Sequence, residues 1–352
     1  MNEKSLQFLK QIVEAPSPSG YEEPAQRVYR EYTRQYADRV ETDLHGNVIA
    51  VKNPQGMPRI LLAGHCDELG FQVRYINDEG YIHFANIGGF DTNIIPGRAV
   101  RIWGKNGPVP GVIGKKAIHV MTEEERKKRY EIHEMWIDIG AKNREEAESL
   151  IAIGDPITYT VGLEPLRGDL YVSRGFDDKA GSFAVAEVLR MLDGQPFSAA
   201  VFSVSTVQEE VGLRGARTSA FGVNPTVGIA VDVTHATDSP DMDKRRLGEV
   251  KIGKGPVITR GANINPVVER MLIEAAEAEG IPYQRESAAG GTGTDANAIQ
   301  LTRAGVATGL VSIPLRYMHT PVELLSLSDL ENVSRLIAAF IMRVKPDTDF
   351  TP

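Results

Sequence analysis

At 352 residues the chain exceeds what one comfortable hydrophobic core organises, so two domains are expected. With 42% hydrophobic residues, a net charge of −8, no basic stripe beyond Arg126-Lys127-Lys128-Arg129, which Glu123-Glu124-Glu125 offsets, and no apolar run near the roughly 18 residues of a membrane span, neither a membrane nor nucleic acid is an expected partner. The single cysteine, Cys66, excludes an intrachain disulfide and fits a reducing cytoplasm, as does an N-terminus that opens into a helix without a signal-peptide core.

Leu6, Leu9 and Val13 keep helical spacing up to Pro16-Ser17-Pro18-Ser19-Gly20, and Ala25, Val28, Tyr32 and Tyr36 mark a second helical face. Residues 47–52 and 59–64 read as strands, the second running straight into His65-Cys66-Asp67-Glu68. Residues i and i+2 of an extended segment point the same way. The spacing therefore predicts that Asp67 accepts the second ring N–H of His65, the usual support of a metal-bound imidazole. A lone histidine after a strand is more often structural, and Asp67 narrows that margin without reversing it. Cys66 alternates to the other side and reads as packing.

From 69 to 166 the texture changes. Short β-like pieces (71–76, 99–103, 109–113 and 156–161) are split by Gly and Pro, the pattern of a small barrel or sandwich. Residues 122–130 read as a solvated charged helix, and 143–153 as a helix capped by Asn143 with Glu146 at its third position. The segment interrupts an α/β pattern, so it reads as a domain inserted between 1–68 and 167–352. His83, His119 and His133 have no acid at ligand-like spacing and read as structural or surface residues.

The α/β pattern resumes at 169–174. Gly175-Phe176-Asp177-Asp178-Lys179 leads into 180–192, apolar nearly all round and therefore buried. The two aspartates could cap that helix, although a cap requires only one. Residues 199–207 are uncharged and β-rich, as in the middle of a parallel sheet, and end in Gln208-Glu209-Glu210 before Gly212. Open α/β sheets place their chemistry outside such carboxyl ends, and carboxylates there are costly unless a cation meets them. Strand 226–231 ends in Asp232. Asn265-Pro266 opens a helix that Gly280 closes.

Gly290-Gly291-Thr292-Gly293-Thr294-Asp295 enters a helix expected over 296–304. It lacks both the Gly-Lys-Ser/Thr ending of a phosphate loop and the third glycine of a dinucleotide loop. Gly291, Thr292, Gly293 and Asp295 read as the lining of an active site, with a structural turn as the alternative. Strand 305–313 precedes a loop carrying His319, and Ser328 with Glu331 opens the closing helix.

His65, Asp177, Glu210, Asp232 and His319 thus fall at or beyond the ends of different predicted strands. Two imidazoles and three carboxylates without a thiolate suit a pair of zinc, cobalt or manganese ions sharing one carboxylate. Such a pair activates water and polarises a carbonyl. Glu209 is then left as the general base.

Gly64-His65-Cys66-Asp67-Glu68, Asp177-Asp178-Lys179, Gln208-Glu209-Glu210-Val211-Gly212, Val231-Asp232 and Met318-His319-Thr320-Pro321 resemble the motifs of the dinuclear, TET-type aminopeptidases. These are cytosolic glutamyl or deblocking enzymes, some of which carry the name endoglucanase. The resemblance spans essentially the whole chain. It implies a zinc-exopeptidase-like α/β fold, a mostly parallel sheet flanked by helices with a barrel-like insert. It also implies a bridging Asp177, one ion completed by His65 and Asp232, and the other by Glu210 and His319. Glu209 would be base and proton shuttle, and Asp67 would support His65. Substrates would be short peptides with a free N-terminus, and the insert would pair chains into dimers that build a hollow tetrahedral dodecamer. The alternative is a glycosidase using Glu209 and Glu210. Its carboxyls must sit roughly 5 Å apart on one sugar bond, whereas neighbours on extended backbone diverge, and the other four residues would have no role.

Overall fold

The computed structural model describes residues 1–352. The chain divides into two units. One comprises Met1–Glu68, Gly162–Met318 and Val322–Pro352; the other comprises Leu69–Val161 with His319–Pro321.

The first unit opens with α1 (Glu3–Glu14) and α2 (Glu23–Thr33), followed by β1 (Arg39–Thr42), β2 (Val48–Lys52) and β3 (Arg59–His65). Asn2 starts α1 by accepting the Ser5 N–H, one of the donors a helix leaves unpaired at its start. Apolar spacing then turns Phe8, Leu9, Ile12 and Val13 inward, and Phe8 stacks on Tyr32 of α2 with ring centroids 3.8 Å apart.

The second unit is a closed barrel of β4 (Gly70–Ile76), β5 (Ile82–Ile87), β6 (Ala99–Gly104), β7 (Gly107–Gly114), β8 (Trp136–Asp138) and β9 (Pro156–Tyr159), in the order β4-β5-β8-β7-β6-β9. Closure leaves no sheet edge unpaired. Period-two alternation fills it with Phe71, Val73, Ile102, Ile113, Ile137 and Ile157. The short helices α3 (Glu123–Lys127) and α4 (Arg144–Leu150) are capped by Thr122 and Asn143, the second of them as expected.

The first unit resumes at Gly162, not 167. The reason is that β10 (Glu164–Pro165) pairs with β11 (Leu170–Ser173), which in turn pairs with a later strand of the same unit. Next come α5 (Phe176–Met191), β12 (Ala200–Thr206), α6 (Arg214–Val223), β13 (Val227–His235), α7 (Lys244–Leu247) and β14 (Val257–Gly261). The chain ends with α8 (Pro266–Ala278), β15 (Gln284–Ala288), α9 (Ala296–Ile299), β16 (Ala307–Leu315), β17 (Glu323–Ser326) and α10 (Leu327–Arg343).

The main sheet has the order β1-β2-β12-β3-β13-β16-β14-β15. Its centre, β12-β3-β13-β16, is parallel, as is the β14–β15 pair. Antiparallel joins at β1–β2, β2–β12 and β16–β14 make the whole sheet mixed. Ile60 and Leu62 face a core built with α1, α2, α5, α8 and α10, while Leu61 and Ala63 face a smaller one under α6 and α9. Two covered faces explain why the central strands read as unbroken apolar runs. Burying each large aliphatic side chain there stabilises the fold by about 1.5–3 kcal/mol.

Several helix limits differ from expectation: α3 ends at Lys127, not 130, α4 ends at Leu150, not 153, and α5 starts at Phe176, not 180. α9 ends at Ile299, not 304, because Val306 N–H returns to the Gln300 carbonyl and Arg303 takes a left-handed φ of 53°. α10 is capped by Ser326, whose hydroxyl accepts the Asp329 N–H, whereas the Ser328 hydroxyl donates to Asp169. No helix is long and apolar enough to cross a membrane.

Candidate metal centre

A crevice opens where the sheet divides. β3 stays paired with β12 to the His65–Thr206 position but leaves β13 after Ala63–Ala230, while β13 follows β16 as far as His235–Leu315. Strand order also reverses here, with β12 on one side of β3 and β13 on the other, and open α/β sheets bind ligands at such a point. His65 ends β3 on one lip, and Asp232 stands on β13 on the other. Asp232 therefore lies inside a nine-residue strand, not at its end as expected, because β16 continues to pair beyond it. Its Oδ1 accepts the N–H of Val233 at 2.7 Å.

Helix α5 reaches the crevice through a backbone contact. A Cβ on Gly64 would lie 2.3 Å from the carbonyl carbon of Gly181, so only glycine lets the helix settle on β3. Ser182 Oγ donates to the Gly64 carbonyl at 2.8 Å across the same contact. The first turn of α5 is thereby held against His65, with Asp177 Oδ1 3.3 Å from His65 Nε2. Asp178 accepts the His65 N–H at 3.1 Å and the Gly181 N–H at 3.0 Å, so each of its oxygens already has a backbone donor. Behind the acids, fully buried Lys179 meets Glu68 at 2.7 Å, with Arg174 Nε 3.4 Å from the same carboxylate. Burial pushes the Lys179 ammonium down to about 8.

The third element is the turn after β12. Gln208 adopts a left-handed φ of 56°, and the Glu209 carbonyl accepts the N–H groups of Gly212 and Leu213 at 2.9 Å each. Asp67 holds this turn from below: Oδ1 accepts the Glu209 N–H at 3.0 Å, and Oδ2 accepts the Glu210 N–H at 3.2 Å. Ser19 Oγ donates to Oδ2 at 2.6 Å. The predicted pairing of His65 with the Asp67 side chain is thus only part of the contact. His65 Nδ1 lies 3.0 Å from the Asp67 backbone carbonyl and 3.5 Å from the carboxylate, which is committed to the turn.

Ligand atoms of His65, Asp177 and Glu210 lie within 4.8 Å of one another, as do those of His65, Asp178 and Asp232, and either group could hold a cation. Asp178 is the member absent from the ligand set expected from sequence, although the doubled aspartate is a signal for it. His319, in left-handed backbone at φ 61°, belongs to the second unit, so both groups are assembled by the first unit alone.

The electrostatics are those of crowded acids. Burial, then the charges of Asp232 and Asp177, push Asp178 well above the ordinary carboxyl range. Burial likewise raises Asp232, with Asp177 adding to it and His65 opposing. Glu209 is pushed up to about 10 by burial, with Asp232, Asp295 and Glu210 adding and His65 opposing. Burial works against a charged His65, yet Glu209, Asp177 and Asp67 together hold the imidazole well above its usual value. Burial also works against the Asp67 carboxylate, but His65, Ser19 and the Glu209 amide outweigh it and keep that group low. Uncompensated buried charge is expensive, and a divalent cation among these oxygens reverses every upward shift.

Of the four residues predicted on the glycine loop, Asp295 alone is buried beside this cluster. Thr206 Oγ1 donates to its Oδ2 at 2.6 Å, and burial raises it to about 6. Gly291 and Gly293 are exposed, and Thr292 N–H bonds Asn297 Oδ1 at 3.0 Å, which stitches the loop to its own helix. A surface depression of about 790 Å³ beside the C-terminal tail, lined by Asn263, Asn265, Gln300 and Phe350, includes none of the candidate site residues.

Comparison with known proteins gives a consistent result. Residues 46–336 match the M42 glutamyl aminopeptidase profile. The chain is 36% identical to a lysyl aminopeptidase of Pyrococcus furiosus, over 98% of this chain and 99% of that one. It superimposes on the crystal structure of a TET aminopeptidase from the marine sediment archaeon Thaumarchaeota archaeon SCGC AB-539-E09, with a TM-score of 0.93, 38% identity and 97% of both chains covered. The TET1 peptidase of Pyrococcus horikoshii, which can assemble into a tetrahedron or a large octahedral shell, matches with a TM-score of 0.85 and 33% identity over 97% of this chain and 100% of that one. The chain belongs to the M42 glutamyl aminopeptidase family and is a peptide hydrolase.

Proposed function

We propose that this aminopeptidase works with two divalent metal ions held by His65, Asp177, Asp232, Glu210 and His319, with Glu209 as general base. The observation that carries the reading is the gathering of carboxylates around one imidazole, with Asp178, Asp232 and Glu209 raised by burial and by neighbouring acids. Asp177, closest of the acids to His65 Nε2 and grouped with Glu210, is assigned the bridging position. Asp178, whose oxygens hold two backbone amides, orients His65 instead. The assignment of His319 rests on the sequence motif. All five donors are nitrogen or oxygen, which suits zinc first and cobalt or manganese as well.

When bound, such ions polarise a peptide carbonyl and acidify water. Glu209 takes a proton from the attacking water and returns it to the departing amine, which leaves neutral as the C–N bond breaks. Glu209 is nearly buried, at 8% exposure, and its carboxylate lies 3.8 Å from His65 Nε2. The acidic lining holds the free α-amine of a short peptide and sets the first carbonyl in place. A glycosidase working through Glu209 and Glu210 is not favoured, because Glu210 is grouped with His65 and Asp177.

The second unit is assigned to self-association into dimers and, from these, a dodecamer. It exposes Val112, Ile118 and Val120, each more than half accessible. The location is assigned to the cytoplasm, where a lone, buried thiol such as Cys66 persists. Metal analysis beside hydrolysis of a panel of aminoacyl anilides, with zinc, cobalt and manganese supplied separately, tests the catalytic reading. Two ions per chain and cleavage that stops on chelation are expected; full turnover in chelator would overturn it.

A further inference from the structure

The segment before α2 is pinned beside the site by more contacts than a connection between helices requires. Ser17 Oγ donates to the Cys66 carbonyl at 2.7 Å, the Glu68 N–H donates to the Ser17 carbonyl at 2.9 Å, and Pro18 and Glu68 form a parallel bridge. This lays Ser19 and Glu22 under the turn that carries Glu209 and Glu210. Both are nearly fully buried, at 8% and 7% exposure. Ser19 Oγ donates to Asp67 Oδ2 at 2.6 Å, the same oxygen that accepts the Glu210 N–H. Glu22 accepts the Gly20 N–H at 2.6 Å, which fixes the backbone beside Ser19; burial raises its carboxyl to about 7, against the pull of the Gly20 and Gln208 N–H groups.

Two consecutive amides, those of Glu209 and Glu210, therefore donate downward to the buried Asp67 carboxylate. Hydrogen bonds from N–H groups to anionic oxygens are shorter and stronger than those between neutral pairs. They also compensate the left-handed φ of 56° at Gln208, which an L-residue rarely adopts. Neither Ser19 nor Glu22 belongs to the groups that could hold a cation. Their chemistry is spent on the backbone of the turn.

We propose that Ser19 and Glu22 are positioning residues for Glu209: Glu22 holds the backbone beside Ser19, Ser19 anchors Asp67, and Asp67 locks the amides of Glu209 and Glu210, which fixes where the Glu209 carboxylate stands over the crevice. The proposal rests on the reading of Glu209 as general base. A glutamine at 22 keeps the size but offers one carbonyl oxygen where the carboxylate accepts several N–H groups, and its amide would meet those donors with a donor of its own. An alanine at 19 removes the hydroxyl that anchors Asp67.

The test compares the metal-loaded full chain with Glu22→Gln, Ser19→Ala and Glu209→Gln, reading kcat, KM, bound metal and amide hydrogen exchange over residues 207–213. For Glu22→Gln and Ser19→Ala the expected result is a kcat lower by about 10- to 100-fold, the loss that an ångström of misplacement brings. KM stays within about twofold, both ions are retained, and exchange across the turn is faster. Unchanged kcat and exchange in both variants, beside an inactive Glu209→Gln, would overturn the positioning role while leaving the base in place. Loss of metal or of substrate affinity matching the loss of kcat would also overturn it. Full turnover by Glu209→Gln would instead remove the base, and the positioning role with it. Should Glu22→Gln fail to fold, the smaller Ser19→Ala change decides the same question.

Discussion

The carboxylate of Asp67 and the backbone of Glu209 are joined on one lip of the crevice by an N–H···O bond of 3.0 Å. The acid two residues beyond His65 thus governs the turn of the proposed base at least as directly as it supports the imidazole. Asp67→Asn keeps the shape but must present its amide N–H₂ to Glu209 N–H, Glu210 N–H or the Ser19 hydroxyl. A loss of kcat of about 10²-fold or more is expected, with folding intact by circular dichroism. Parent-like kinetics would show that the bond carries no functional weight.

Glu209 and Glu210, adjacent in sequence, should fail differently. Glu209→Gln keeps both ions and binds substrate but loses turnover by roughly 10²–10⁴-fold, as for a missing general base. Glu210→Gln replaces a charged ligand with a neutral one and is expected to lose metal from one site, with activity partly recovering as metal is raised. Metal content measured beside the rate separates the two, and the opposite pattern exchanges their roles.

Removal of metal should make the protein sensitive to rising pH. Asp178, Asp232 and Glu209 are raised above the ordinary carboxyl range, Glu209 to about 10. The metal-free fold therefore holds protons that the unfolded chain releases near pH 4. Stability from these groups is complete below that pH and is lost as pH rises toward the folded values. The metal-free protein is expected to melt lower at pH 8 than at pH 6, and added zinc should remove the difference. At pH 7 metal binding should release protons, visible as a calorimetric enthalpy that depends on buffer ionisation. A buffer-independent enthalpy would contradict the ligand assignment.

Self-association through the second unit is tested on its exposed aliphatic surface. Val120→Asp places a charge where a partner would pack, so a smaller particle in sedimentation is expected, with hydrolysis of a short peptide retained. An unchanged particle would move the interface elsewhere.

Gly64→Ala probes how α5 sits on β3. The new methyl would meet the Gly181 backbone at 2.3 Å, with no flexible side chain to yield. A cost of about 1–3 kcal/mol is expected, together with weaker metal binding, since Asp177 must move away from His65. Gly222→Ala in α6, where nothing lies within 4 Å of the added carbon, is the matched control.

Much of this architecture is legible in the amino-acid sequence because the parallel strands are buried on both faces, and an uncharged, β-branched run such as Ala200–Thr206 suits little besides a covered strand. His65, Asp177, Glu210 and Asp232 can be nominated because charge at the end of such a run demands a reason. What stays hidden is set by partners distant in the chain. Asp232 reads as a strand end because nothing local shows that β16 pairs on to His235. Asp178 resembles a cap because its bond to the His65 amide spans 113 residues. Ser19 and Glu22 resemble a loop and a helix start, since the turn they hold lies nearly two hundred residues away.

The direct touch of Gly64 on Gly181 also bears on how such a site can diversify. Where side chains separate two elements they absorb substitutions by repacking, but here main chain lies on main chain and no such layer intervenes. The α5 wall of the crevice therefore has little freedom to drift. Variation in the size or polarity of the accepted residue must be drawn from the opposite bank, from β13 and the loops beyond the sheet, so mutational libraries aimed at new peptide preferences belong there.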